Sequence, residues 1–401
     1  MSKTVTENIK KATLTIDQVR ERIRRIVDEV IRPNANLIDK NKEFPSENLA
    51  ALAKEGFNGI LLPEELGGLG LNYSAFALVV QEIAKVCPST ALIYTMHIEA
   101  ARVIYSHGNA DQWERWLKPI RNGKFGTTST SEGETGGHYW YNVSEAVRKD
   151  NGYIINSQKS FTTSSGYADF YVFQTKSPNA KSPDDITYFI VDGHQEGIEP
   201  GEWAALGVRG NHSSSLRLRD IYVDQRDRIG EEGEGKEIVQ NGIAYLIGLG
   251  ATWTGAAIGI LDETLAYAKR KVHQDVNKAL SDYQIIRSQL AKAKILTDSL
   301  QAWQKDLTSQ LDDWLKSGEK YASEELKNIL LEFKVHASEA ANEVAQTGLD
   351  VSGGFGYREG TLERLYRDAR AGIVMGPSNN IAREMIGKNL VGIMDDLWSG
   401  K

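Results

Sequence analysis

One polar run could do chemistry. Gly126–Asn142 reads GTTSTSEGETGGHYWYN, a stretch of Thr, Ser and Gly that ends in aromatics. Thr127–Ser131 has no helical period and carries β-branched or hydroxyl residues, which predicts a strand. The glycines that follow turn the chain into a loop able to approach a flat ligand. A hydroxyl-lined strand beside such a loop suits a cofactor with hydrogen-bonding edges; a polar surface hairpin is the plainer alternative. His138 is a candidate proton carrier, although a lone histidine is more often a structural partner. Glu132 and Glu134 on the same loop read as solvated charges.

The elements that position this run follow from periodicity. Up to residue 124 the chain is helical: Val19, Ile23, Ile26, Val27 and Val30 form one stripe over Ile16–Asn36. Further helices are expected after Ser46 and over Ser74–Val86, His97–His107 and Asp111–Ile120. From 125 to 232 the period becomes two, with strands at Tyr153–Asn156, Phe170–Thr175, Thr187–Val191 and Ser215–Val223. That predicts an antiparallel β barrel or sandwich. From 233 to 401, apolar residues recur at three and four, as in Ile286, Leu290, Ala293 and Leu296–Leu300, which predicts a helical bundle. The class is α+β multidomain, with 1–124 helical, 125–232 β and 233–401 a four-helix bundle.

Composition narrows the function. The 401 residues are 41% hydrophobic and 25% charged, with net charge −7 and no basic block, which argues against nucleic acid as partner. The single cysteine, Cys87, excludes an intrachain disulfide and makes a reducing cytoplasm the expected location. No apolar stretch follows MSKTVTENIKK, so no secretory signal is expected. Gly242–Leu261 lacks charge for the length of a membrane span. Its five glycines and its continuation into a polar helix predict a buried helix, so no membrane span is expected.

With these elements in order, the chain resembles the acyl-CoA dehydrogenase family of flavoproteins. The residues that carry the resemblance are ILLPEELGGLGLNYSAFALVVQEIAKV (Ile60–Val86), STSEGETGG (Ser129–Gly137), INSQKSFTTSSGYADFYVF (Ile155–Phe173), GVRGNHSSSLRLRDIYV (Gly207–Val223) and SGGFGYREGTLERLYRDARAGIVMGPSNNIAR (Ser352–Arg383). The resemblance implies FAD, rather than FMN, held by Thr128, Thr130 and Ser131 on one strand and by Phe161, Thr162 and Thr163 on the next. It implies that Gly353, Gly354, Ser378 and Asn380 touch the pyrophosphate and adenosine. Gln284 matches a residue that reaches the cofactor of a neighbouring subunit, which implies a homo-oligomer, a dimer or tetramer.

Several positions depart from the family pattern. The reaction takes an α-proton from an acyl thioester while hydride leaves the β-carbon, and a glutamate is the usual base. At the two positions where the family places it, this chain has Gly376 and Tyr245, and a following arginine is Leu246. His273 stands for a cofactor-contacting arginine and Asp350 for a glutamine. A serine that often bonds the CoA portion is Gly137, followed by His138, Tyr139, Trp140 and Tyr141. Gly137, His138, Trp140, Tyr245 and Gly376 are therefore expected to shape the substrate pocket, with Tyr245 the candidate catalytic residue. A phenol of ordinary pKa about 10 makes a poor base. No metal site is expected. The resemblance implies dehydrogenation of an unusual acyl thioester, on CoA or a carrier protein. A flavin monooxygenase acting on a non-CoA substrate, such as an aromatic one, and a non-redox flavin-retaining relative are the alternatives on the same fold.

Overall fold

The computed structural model describes residues 14–393; the outermost ends of the first and last expected domains lie outside the described residues. The chain opens with helix α1 (Ile16–Ile26), capped by Thr15, whose hydroxyl accepts the Gln18 amide in a capping box. A π-helical turn at Val27–Ile31 joins it to α2 (Arg32–Asn41), so the apolar stripe runs on past the expected end at Asn36. Then come α3 (Ser46–Lys54), α4 (Tyr73–Ala84) and α5 (Pro88–His107). Helix α5 starts nine residues before the expected His97, because Pro88 at the first turn lacks only an amide that has no helical partner there. The expected helix Asp111–Ile120 is broken up: one α turn, α6 (Ala110–Gln112), leads into π and 3-10 turns ending at Asn122.

The middle of the chain forms two four-stranded sheets. The first has the order β1 (Gly126–Ser129), β4 (Phe170–Lys176), β5 (Ile186–Asp192), β8 (Arg228–Ile229). The second has the order β2 (Val147–Lys149), β3 (Gly152–Thr162), β7 (Ser214–Asp224), β6 (Ile198–Pro200). Tyr171, Phe173, Phe189 and Val191 of the first meet Tyr153, Ile155, Leu216 and Leu218 of the second in one core, which makes a sandwich. One pair departs from the antiparallel expectation: β1 runs parallel to β4, with Gly126 opposite Phe170 and Ser129 opposite Phe173. Parallel pairing needs a long crossover, which the chain between Ser129 and Phe170 supplies.

The last part comprises a short α7 (Gly235–Gln240), then α8 (Ile243–Arg270), a small hairpin of β9 (Val272–His273) and β10 (Lys278–Ala279), α9 (Gln284–Ser317), α10 (Glu324–Ser352), α11 (Thr361–Val374) and α12 (Asn379–Val391). The stretch from Gly235 to Arg270 is long and apolar enough to cross a membrane, yet 94% of its most apolar window is buried against α4, α5 and α10. Its glycines explain how. A Cβ at Gly255 would lie 2.3 Å from the Gln81 carbonyl oxygen, and one at Gly259 would lie 2.0 Å from that of Lys85. The missing side chains let α8 touch the backbone of α4.

Helix α11 ties the three parts together. Arg364 donates to the Val86 carbonyl (2.8 Å) and to Asn36 (2.9 Å). Arg367 pairs with Asp39 (2.6 Å) and donates to the Leu206 carbonyl (3.0 Å). Asp368 accepts the Val208 amide (2.6 Å). Tyr366–Arg370 of the C-terminal signature is thus, in large part, a structural clamp.

Candidate active site

A cavity of about 490 Å³ opens where the three parts meet, the usual place for a ligand site in a multidomain chain. One wall is β1. Its side chains alternate: Thr127 and Ser129 are fully buried, whereas Thr128 and Thr130 line the cavity with Ser131. Among the described residues, the hydroxyls of Thr128, Thr130 and Ser131 receive and donate no hydrogen bond within the chain. The strand is fixed from behind by His97, whose Nδ1 accepts the Gly126 amide (3.1 Å) and whose Nε2 donates to the Asn58 carbonyl (2.9 Å). Burial lowers the pKa of this imidazole to about 4, so it stays neutral and serves as a spacer between α5 and β1.

Behind the adjoining loop lies a buried ion pair. Lys159, fully buried, donates to Glu132 (2.9 Å) and to the Thr130 and Gln174 carbonyls. Glu132 also accepts the Val143 and Ser144 amides. Its carboxyl is held below the ordinary range: burial opposes this, but Lys159 and the Ser144 and Val143 donors outweigh it. Glu132 is therefore not the solvated loop charge expected from sequence. It builds the turn that follows the strand.

The second wall comes from β3 and the turn after it. Phe161 and Thr163 line the cavity; the Phe161 ring is 66% exposed, and Thr163 shares a hydrogen bond with Ser213 (2.7 Å). Thr162 points the other way, its hydroxyl against that of Ser129 (2.7 Å), because adjacent strand residues face opposite sides. Val208, also in the lining, holds a left-handed backbone (φ 48°), a costly conformation for a β-branched residue. Its amide bond to Asp368 holds it there.

The remaining wall brings Tyr245 and Gly376 together. The Tyr245 hydroxyl donates to the Gly376 carbonyl (2.5 Å), so two positions 131 residues apart in sequence meet at the cavity. Burial, with Glu99 and Tyr139 nearby, pushes the Tyr245 phenol above its ordinary pKa, which works against the proton-accepting role expected of it. The Met375–Pro377 segment is held by Lys334, fully buried on α10, which donates to the Met375 (3.1 Å) and Pro377 (2.8 Å) carbonyls and to Asn379 (2.9 Å). Arg367 and Arg370 also reach the lining.

Other expected residues do not reach this cavity. Gly137 (φ 90°) packs on α12, where a Cβ would lie 2.5 Å from Ile381, so its lack of side chain answers a close approach. His138, Trp140 and Tyr141 form an aromatic knot, with His138 stacked on Tyr141 (4.9 Å) and edge-on to Trp140 (5.4 Å). Trp140 lines a separate, smaller cavity against α10 and α12; only Tyr139 of this run enters the main one. His273 lies in the β9–β10 hairpin, hydrogen-bonded to the Tyr283 hydroxyl (3.0 Å), and Gln284 starts α9. Asp350, Gly353 and Gly354 sit exposed at the end of α10, and Ser378 and Asn380 sit at the start of α12. Among the described residues, no cluster of His, Cys, Asp and Glu could hold a metal ion.

Reading the sequence missed Glu99. Met96, Glu99 and Val103 project from one face of α5 into the cavity, and among the described residues Glu99 is the only carboxyl in its lining. Glu99 and Val103 lie within the expected helix and Met96 one residue before it, but nothing local in the sequence shows that this face meets the cavity.

The observed walls fit a flavin: a row of partnerless hydroxyls faces the cavity, and a large aromatic ring beside it is left uncovered. Comparison with known proteins agrees. Profiles of the acyl-CoA dehydrogenase N-terminal, middle and C-terminal domains match residues 13–124, 127–221 and 233–391. A short-chain-specific acyl-CoA dehydrogenase of Clostridium acetobutylicum is 28% identical over 357 residues, covering 88% of this chain and 91% of that protein. A 3-(aryl)acrylate reductase of Clostridium sporogenes is 28% identical over 383 residues, covering 93% and 97%. The structure of butyryl-CoA dehydrogenase from Megasphaera elsdenii superposes with a TM-score of 0.87 at 24% identity, covering 95% of this chain and all of that one. The chain belongs to the acyl-CoA dehydrogenase family of flavin-dependent oxidoreductases.

Proposed function

We propose that this chain binds FAD and dehydrogenates an acyl thioester between its α and β carbons. The observation that carries this reading is the wall of Thr128, Thr130 and Ser131, with free hydroxyls, on a cavity also lined by Tyr245 and Gly376. Bound FAD would supply a hydride acceptor. The chain's own part is to hold and shield. Thr128, Thr130, Ser131 and Thr163 would bond the edges of the ring system, and Phe161 would cover it. Leu206 and Val374 give the mouth apolar surface that sheds water when a substrate enters. Neither position used by the family offers a carboxylate, and the Tyr245–Gly376 bond fills the space between them with a neutral contact. The α-proton must therefore leave to another group. Gly353, Gly354, Ser378 and Asn380 are assigned to the pyrophosphate and adenosine, His273 and Gln284 to the FAD of a neighbouring subunit, and Asp350 to the cofactor as well. Exposed Ile285, Phe355 and Tyr357 beside them support a homo-oligomer.

The missing carboxylate favours one second reading, oxygenation of a substrate by the same flavin, which requires no α-proton removal. Anaerobic mixing with a panel of acyl thioesters separates the two. Bleaching of the flavin supports dehydrogenation. No bleaching, together with oxygen uptake on supply of reduced flavin, supports oxygenation.

A further inference from the structure

The cavity has an open and a closed end. Phe161, Leu206 and Val374 in its lining are 66%, 61% and 66% exposed, whereas Val103, Tyr188 and Ile238 are 7%, 2% and 2% exposed. Glu99, 7% exposed, belongs to the closed end. An acyl chain that enters with its thioester toward the mouth would therefore bring its far end to a carboxyl group.

That carboxyl is sparsely partnered. The Tyr245 amide donates to Oε2 (2.8 Å) at the start of α8, and the charge of Arg102 and the Ala244 amide add weaker attractions. No side chain among the described residues donates a hydrogen bond to it. Burial raises its pKa to about 7, outweighing the Tyr245 amide and the charge of Arg102, the mark of a carboxyl that lacks solvation. A pocket meant for a plain alkyl end would gain from an apolar residue here, because burying an acceptor without a donor costs free energy. Capping α8 explains one oxygen; it does not explain a carboxyl that also faces the cavity.

We propose that Glu99 recognises the far end of the substrate: an acyl group bearing a hydrogen-bond donor, a hydroxyl or a protonated amine, at the end remote from the thioester. This rests on the thioester reading above and names the substrate class within it. Val103 and Ile238 would flank the methylenes, and Glu99 would accept from the terminal donor. Above pH 7, where Glu99 is mostly ionised, a hydrogen bond to its carboxylate in a desolvated site corresponds to a preference of about tenfold to a hundredfold over the matching alkyl chain.

The test uses the FAD-loaded full chain and three matched pantetheine compounds: pentanoyl, ω-hydroxypentanoyl and ω-aminopentanoyl. Binding is measured by calorimetry with their non-oxidisable thioether analogues, and flavin bleaching is measured separately with the thioesters. The wild type should bind a donor-bearing analogue at least about tenfold tighter than the alkyl one. The hydroxyl and amine arms identify which donor is meant. Glu99→Leu should reverse the preference. Glu99→Gln keeps an acceptor for the Tyr245 amide, so it should fold normally, retain part of the hydroxyl preference and lose most of the ammonium preference. The same ranking in wild type and both variants, or a wild-type preference for the alkyl chain, overturns the proposal and leaves Glu99 a helix cap. Loss of all bleaching in Glu99→Gln with binding ranks unchanged also overturns it, and would make Glu99 the proton acceptor. Discrimination in binding with no bleaching by any thioester leaves recognition standing and defeats the dehydrogenation reading instead.

Discussion

Replacing Lys334 with methionine tests how the cavity wall is held. The buried ammonium serves the Met375 and Pro377 carbonyls and the Asn379 side chain at 3.1, 2.8 and 2.9 Å. Methionine keeps the length and apolar stem but removes every donor. Asn379 retains Ser338 and Glu339 as partners, so the main loss falls on two carbonyls left without the ammonium. At about 1–3 kcal/mol for each unsatisfied buried acceptor, the cost is about 2–6 kcal/mol. Part is offset, because the variant no longer buries an ammonium whose pKa burial lowers to about 7. The net expectation is a loss of about 2–4 kcal/mol in urea unfolding followed by tryptophan fluorescence. The Met375–Pro377 segment carries the carbonyl that receives the Tyr245 hydroxyl, so thioester binding should weaken as well. Flavin retention should hold, since β1 is anchored elsewhere by His97 and Lys159. A urea midpoint equal to that of the wild type, with thioester binding intact, would refute the assignment of Lys334 as the support of this loop.

Two more outcomes follow from the same geometry. Thr128→Val combined with Thr130→Val preserves strand shape and removes two free hydroxyls; at about 0.5–1.5 kcal/mol each, FAD affinity should fall about 5- to 150-fold in equilibrium dialysis, and unchanged affinity would place the flavin elsewhere. His97 binds fewer protons folded than unfolded between about pH 4 and the ordinary histidine value of about 6.5, so stability should rise with pH across that window and be lost as pH falls through it, by up to about 3 kcal/mol. His97→Gln should flatten that part of the denaturation profile, and a variant as acid-sensitive as the wild type would contradict the role given to this imidazole.

The legible parts of this molecule were those with a local cause. Thr127–Ser131 was legible as a strand and the resemblance pointed to Thr128, Thr130 and Ser131; strand alternation then explains why Thr128 and Thr130 face the cavity and Thr162 turns away. The glycine-rich apolar segment became a buried helix because small residues permit contact with the backbone of α4. What depended on distant partners was not legible. The parallel pairing of β1 with β4, the inward aim of Lys159 at Glu132, and the meeting of Tyr245 with Gly376 are tertiary facts with no local pattern. Glu99 was missed although it lies inside the expected helix His97–His107, because nothing local in the sequence shows which face of that helix meets the cavity. Gly137 shows the converse. It looked like a lost substrate contact and is a close packing point on α12.

The absorbance spectrum of the purified protein, as isolated and again after anaerobic addition of acyl thioesters, tests the central claim most directly. This account predicts a yellow protein with bound FAD whose flavin absorption bleaches on addition of a suitable thioester. A colourless protein that takes up no FAD on reconstitution would contradict it.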